Sequence, residues 1–262
     1  MTERIESWSK HGQAWNQSID DIIAVRKDFA NLVKAASPDE IALVPSVSAI
    51  LAMEAKPALE NWKVDQALLA AVTLPRQPDE TDDLFIIRAK EDSREQARKA
   101  RERGTAIHAA IQGAFEGKPV TAEDLPYVEP VQRWLSELYG VTTGETESSF
   151  ASPLGYGGKA DFLHREIPLV LDYKCKDFDE DKDAKELAWP EHAMQLAAYR
   201  QGFEVPDADC VNVFVSTSEP GLIRLRKWEG DELAENWEAF LCLLKLYKIR
   251  KHFDPSFTRE LL

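Results

Sequence analysis

Two aspartates and a lysine stand close together in the stretch Gly155 to Lys174, GYGGKADFLHREIPLVLDYK. Val170, Asp172 and Lys174 alternate with Leu171, Tyr173 and Cys175, so a strand of period two sets Asp172 and Lys174 on one face. Asp161 lies on a second short strand, GGKADFL, and the connection HREIP holds Pro168, which suits a turn or the first residue of a strand. The two strands are expected as neighbours. Carboxylates brought together in this way repel unless a cation lies between them, and hard divalent ions take oxygen ligands of that type. The bland alternative is a solvated strand face with a cross-strand ion pair. Against it stands the unbroken apolar run from Pro168 to Leu171, which reads as a strand buried on both faces and makes charges at its end costly without partners.

The elements that would position these groups follow from periodicity. Residues 86–115 read as a helix with Ala97, Ala100, Gly104, Ile107, Ile111 and Ala114 on one face. Before Gly104 this helix is basic, and Arg94, Arg98, Lys99, Arg101 and Arg103 form a stripe able to meet phosphates. Glu91, Asp92, Glu95 and Glu102 make a salt-bridged surface an equal alternative. His108 follows one turn beyond Gly104. Residues 124–139 read as another helix, and TGETESSFAS carries Glu145 and Glu147, of shared parity, on a strand ahead of the GYGG turn. Residues 187–203 read as a helix on which Gln195 and Tyr199 share a face. CVNVFVST and GLIRLRKW read as strands joined by SEPG, and residues 231–251 as a closing helix. Upstream, Ile5, Trp8, Trp15, Ile19, Ile22 and Ile23 recur at helical intervals, so residues 2–36 are expected to be helical. Ser46 or Ser48 caps a short helix, and Pro57 opens the next.

The pattern D-x(10)-D-Y-K, preceded by a glutamate and followed by a helix with Q-x-x-x-Y, resembles the PD-(D/E)xK nuclease superfamily in its RecB-like exonuclease branch. PSVSAIL with KPALENW is similar to an N-terminal motif of phage and mitochondrial genome-maintenance exonucleases of that branch, and RGTAIH and HAMQLAAYRQGF are similar to further motifs of the RecB-like family, in the same order. The resemblance spans Val44 to Phe203. It implies an α/β restriction-endonuclease-like core at 91–262, a mixed central sheet flanked by helices, after an N-terminal helical region at 1–90. It also implies Mg2+ or Mn2+ on Asp161 and Asp172, with the Tyr173 backbone carbonyl, Glu147 and His108 completing the shell directly or through water; Glu145 remains the alternative to Glu147. Lys174 would orient or activate the attacking water, and Gln195 and Tyr199 would hold substrate or the Lys174 side chain. The expected reaction is hydrolysis of DNA phosphodiesters. It would start from free single-stranded ends threaded past the basic helix, in recombination, repair or replication beside a partner protein. A structure-specific endonuclease, an RNA processor and a noncatalytic DNA-binding protein of the same fold are the alternatives. The complete Asp161, Asp172 and Lys174 set opposes the last.

Composition bounds these readings. With 262 residues, 44% hydrophobic and 30% charged, one elaborated globular domain is expected. A net charge of −14 argues against nonspecific coating of nucleic acid, which relies on Lys and Arg. The acidic charge gathers in QPDETDD and DFDEDKDAKE, which leaves room for a local basic track. Cys175, Cys210 and Cys242 lack CxxC spacing, so no disulfide framework, zinc site or iron–sulfur cluster is expected. The sequence shows no signal core and no apolar segment of membrane-spanning length, so a cytoplasmic protein that does not engage a membrane is expected; a bacterial or phage origin is what the resemblance implies.

Overall fold

The computed structural model describes residues 7–8, 14–15, 23–25, 43–55 and 57–253. Among the described residues, the first elements are four short strands, β1 (Ser7–Trp8), β2 (Ala14–Trp15), β3 (Ile23–Val25) and β4 (Leu43–Pro45). β1 pairs antiparallel with β2, and β3 pairs parallel with β4. This corrects the helical reading of residues 2–36 wherever they are described: Trp8, Trp15 and Ile23 lie in strand-paired backbone, and the rest of that span is outside the described residues. Apolar spacing is a local signal, whereas β3 finds its partner far along the chain.

Helices α1 (Val47–Leu51), α2 (Pro57–Thr73), α3 (Asp82–Phe115) and α4 (Leu125–Tyr139) follow. Ser46 caps α1, its Oγ accepting from the Ala49 N–H at 3.2 Å. Thr81 caps α3, which begins at Asp82, four residues before its expected start. The division expected at residue 90 falls inside α3.

A mixed sheet comes next, in the order β5 (Glu145–Ser152), β6 (Tyr156–His164), β7 (Leu169–Lys176), β8 (Asp209–Ser216) and β9 (Ile223–Trp228). Its first three strands form an antiparallel meander. From β7 the chain crosses over through α5 (Ala184–Leu187) and α6 (Pro190–Gly202) and returns as β8, parallel to β7, while α7 (Gly230–Lys251) follows β9.

Helices cover both faces. Ile50 of α1, Leu196 of α6 and Phe240 of α7 meet Val170 and Cys210 on one side. Ile107 and Ile111 of α3 and Val128 and Val131 of α4 meet Leu169, Leu171 and Val211 on the other. The run Leu169 to Leu171 is fully buried, because consecutive side chains enter opposite cores.

One glycine sets how closely α3 lies on β7. A Cβ at Gly104 would stand 3.3 Å from the Cβ of Cys175, tighter than ordinary contact. Gly104→Val should therefore lift α3 from the sheet and destabilise the fold by about 1–3 kcal/mol. Denaturant unfolding reads this directly, and a Val variant as stable as the parent would show that the approach is not tight.

Candidate active site

The site forms where the sheet opens. The β6–β7 ladder pairs His164 with Leu169, Leu163 with Val170 and Phe162 with Leu171, and then stops. At the next position Asp161 turns its carboxylate onto β7, and its Oδ2 accepts the backbone N–H of Tyr173 at 2.7 Å. A side chain thus satisfies a donor that the ladder no longer serves.

On the other side of β6 the ladder also lapses at this level. Thr146 pairs with Phe162 and Ser148 with Ala160, but Glu147 and Asp161 between them are unbridged. Glu147 has φ 51°, a left-handed conformation that costs a residue with a side chain about 1–2 kcal/mol. The strands change facing here: Ala160 packs beneath α6 and α7, whereas Phe162, two residues on, packs beneath α3 and α4. The shared parity of Glu145 and Glu147 is broken by this kink. Glu145 accepts from Arg165 Nε at 2.9 Å and from Ser148 Oγ at 2.7 Å. Glu147 lines the cleft and is ion-paired with Lys159.

The cleft, about 550 Å3, lies between α3 and α6 and brings together Asp161, Asp172, Tyr173, Lys174, Gln195 and Tyr199. Asp172 is only 3% exposed, so its charge needs partners, and three donors supply them. Gln195 Nε2 donates to Oδ1 at 2.9 Å, Asn212 Nδ2 donates to Oδ2 at 2.8 Å, and Lys174 is ion-paired with Oδ2. Burial pushes the Asp172 carboxyl above the usual carboxylate range, Lys174 pulls it back, and the charge on Asp161 pushes it up again. Gln195 completes the cluster, accepting from Lys174 Nζ at 3.2 Å and donating to Tyr199 Oη at 2.8 Å.

From the opposite wall α3 presents Arg101, Thr105, His108 and Gln112 to the cleft, at intervals of four, three and four that define one helix face. His108 Nδ1 is 3.8 Å from Asp161 Oδ2, and its ring meets Tyr173 edge-on at 5.9 Å. Of the expected basic stripe only Arg101 lines the cleft. Arg98 is held between Glu95 and Glu102, Lys99 lies 3.8 Å from Glu95, and Arg103 donates to Tyr127 Oη at 2.7 Å. Arg94, like these three, is not part of the lining.

Lys159, Asn212 and Trp228 are not singled out by motif or periodicity. Asn212 did leave a signal, as the polar residue inside CVNVFVS, where burial demands hydrogen-bond partners. Lys159 is similarly a charge on a strand whose neighbours are apolar or glycine.

Among the described residues no three His, Cys, Asp or Glu side chains gather closely enough to hold a metal ion. As the side chains stand, Glu147 is engaged by Lys159, and the nearby carboxylates are Asp161 and Asp172. A two-carboxylate site suits Mg2+, which keeps several waters and commonly takes only one or two protein carboxylates together with substrate phosphate.

No family model and no curated protein matches the chain. Solved structures share distant likeness. SSO0001 has a TM-score of 0.30 at 15% identity, over 71% of this chain and 86% of that one. An exonuclease candidate from Eubacterium rectale has a TM-score of 0.38 at 15% identity, over 57% of this chain and 66% of that one, slightly under two thirds of its length. The alkaline exonuclease LHK-Exo from Laribacter hongkongensis has a TM-score of 0.34 at 14% identity, over 78% of this chain and all of that one.

The kink at Glu147 can be tested without any activity. Glu147→Ala and Glu147→Gly both remove the carboxylate, but only glycine relieves the left-handed backbone. The Gly variant should be the more stable by about 1 kcal/mol, reversing the order usual in a strand. Greater stability of the Ala variant in thermal or denaturant unfolding would refute the kink.

Proposed function

We propose that the protein is a metal-dependent DNA exonuclease that hydrolyses phosphodiester bonds from free single-stranded ends. One observation carries this reading: Asp161 and Asp172, from neighbouring strands, meet Lys174 in one cleft, with Asp172 buried and held by three donors. Hydrolysis of a phosphodiester requires a positioned nucleophilic water and compensation of the charge that develops on phosphate oxygens. Asp161 and Asp172 would hold Mg2+ or Mn2+, which when bound lowers the pKa of a coordinated water and polarises the phosphate. The Tyr173 carbonyl, His108 and Glu147 are further candidates around it, directly or through water.

Lys174 is the residue for charge compensation. Its ammonium is tethered between Asp172 and Gln195 yet keeps 24% side-chain exposure, so it can meet a phosphate oxygen without first being ordered. Gln195 fixes both Lys174 and Asp172, and Tyr199 extends that wall towards substrate. Arg101 and Lys159 add positive charge around the acids. A volume near 550 Å3 is in the size range of ligand-binding clefts, room enough for a nucleotide. The polar face of α3 from Arg101 to Gln112 would be its track, and DNA end processing in recombination, repair or replication its setting, beside a partner protein of that process. Among the described residues no helix is long and apolar enough to cross a membrane.

End-labelled linear and closed circular single-stranded DNA test this reading. Linear DNA should be degraded with Mg2+ or Mn2+, cleavage should cease in excess chelator, and circles should survive. Degradation in chelator would remove the metal from the proposal, and rapid cutting of circles would remove the requirement for an end.

The split within the basic helix gives a second test. Arg101→Ala should weaken binding of single-stranded DNA and flatten its salt dependence by roughly one phosphate contact. Arg98→Ala, which breaks only exposed pairs with Glu95 and Glu102, should change neither. Equal effects would mean that the strand follows the outer face of the helix.

A further inference from the structure

Asn212 lies beside Asp172 in the parallel β7–β8 register and is completely buried. Its Nδ2 donates to Asp172 Oδ2 at 2.8 Å, and its Oδ1 accepts from Trp228 Nε1 at 2.7 Å. The chemistry of the third residue dictates the orientation of the second. An indole N–H only donates, so the amide atom facing Trp228 must be oxygen and the amide nitrogen must face Asp172. Flipping the amide would oppose two donors at Trp228 and bring a carbonyl oxygen against a carboxylate at Asp172.

From this geometry we infer that Trp228 and Asn212 are positioning residues, a relay that fixes the rotamer of Asp172 and the direction of its Oδ2 for the reaction. The inference rests on the reading of Asp172 as a carboxylate of the reacting site. The relay is anchored away from the cleft. Trp228 closes β9 at 9% exposure, and the Arg226 guanidinium covers its ring at 4.4 Å while pairing with Glu232 of α7. Gln195 reaches the same carboxylate from α6 through its other oxygen. Asp172 is thereby held at two points by two elements, a degree of fixation that ligand orientation requires. A charged residue at position 212 could not do this, since a buried carboxylate would repel Asp172 and a lysine or arginine would have no acceptor role towards Trp228.

The test compares Trp228→Phe, which keeps an aromatic ring and removes the N–H, with Asn212→Ala, the double variant and Asp172→Asn. Mn2+ affinity is measured by calorimetry on the full-length protein without DNA. Cleavage of end-labelled single-stranded DNA gives kcat and KM, and melting temperature gives the folded fraction. The relay predicts that each single variant loses about 10- to 100-fold in Mn2+ affinity or kcat with KM for DNA unchanged. The double variant should be little worse than the worse single, because one chain of contacts is being cut twice. Asp172→Asn should be inactive. Wild-type kcat and Mn2+ affinity in both single variants, beside an inactive Asp172→Asn, overturn the relay, as does a loss that vanishes when rates are corrected for folded fraction. Full activity of Asp172→Asn instead overturns the hydrolytic reading on which the relay rests. Should Trp228→Phe fail to fold, Asn212→Ala alone decides, since it cuts the contact to Asp172 directly.

Discussion

A carboxylate at 3% exposure is the constraint from which the rest of the site follows. Burial disfavours its charge, and removing a single partner from a buried ionic cluster typically costs about 3–5 kcal/mol. Asp172 therefore needs donors from several directions at once, and they come from three elements: Lys174 on its own strand, Gln195 on α6 and Asn212 on β8. The crossover through α5 and α6 does more than cover a sheet face; it returns an amide donor to the strand end that left it. These contacts tie Asp172 and Lys174 to both the sheet and a helix.

The second constraint is the opening of the sheet. If β6 and β7 stayed paired, residues on opposite faces of β7 would be separated by the sheet, and His108 on α3 could not face the same cleft as Gln195 on α6. Ending the ladder at Phe162–Leu171 leaves a gap through which both faces contribute. The left-handed Glu147 and the change of facing between Ala160 and Phe162 occur at this level. Strain concentrated there is what a functional site built on a sheet commonly shows. The Glu147–Lys159 pair sits at the strained point, so substrate or a cation approaching Asp161 also meets a carboxylate already engaged.

Much of this was legible because it is periodic. Asp172 and Lys174 share a face by the pleat, Gln195 and Tyr199 by the helix turn, and the buried run before Asp172 announces a central strand. Glu145 and Glu147 could not be separated, since parity presumes unbroken alternation and the backbone turn at Glu147 breaks it. The basic helix held too many candidate cations. Which of them faces the cleft depends on how α3 rolls against β7, and that is settled by contacts such as Gly104 against Cys175. Asn212 showed itself only as a polar residue in an apolar strand, while its partners, Asp172 and Trp228, come from the two neighbouring strands. Trp8, Trp15 and Ile23 misled for the converse reason: their helical spacing is local and their pairing is not.

We propose that Lys174 and the two aspartates perform hydrolysis and do not merely stabilise the sheet. Single-turnover cleavage of end-labelled single-stranded DNA by Lys174→Met, measured together with DNA affinity, tests it most directly. Loss of one preorganised charge should slow the chemical step on the order of a hundredfold or more, with affinity changed only a few-fold. Cleavage at the wild-type rate by a folded Lys174→Met protein would contradict the account.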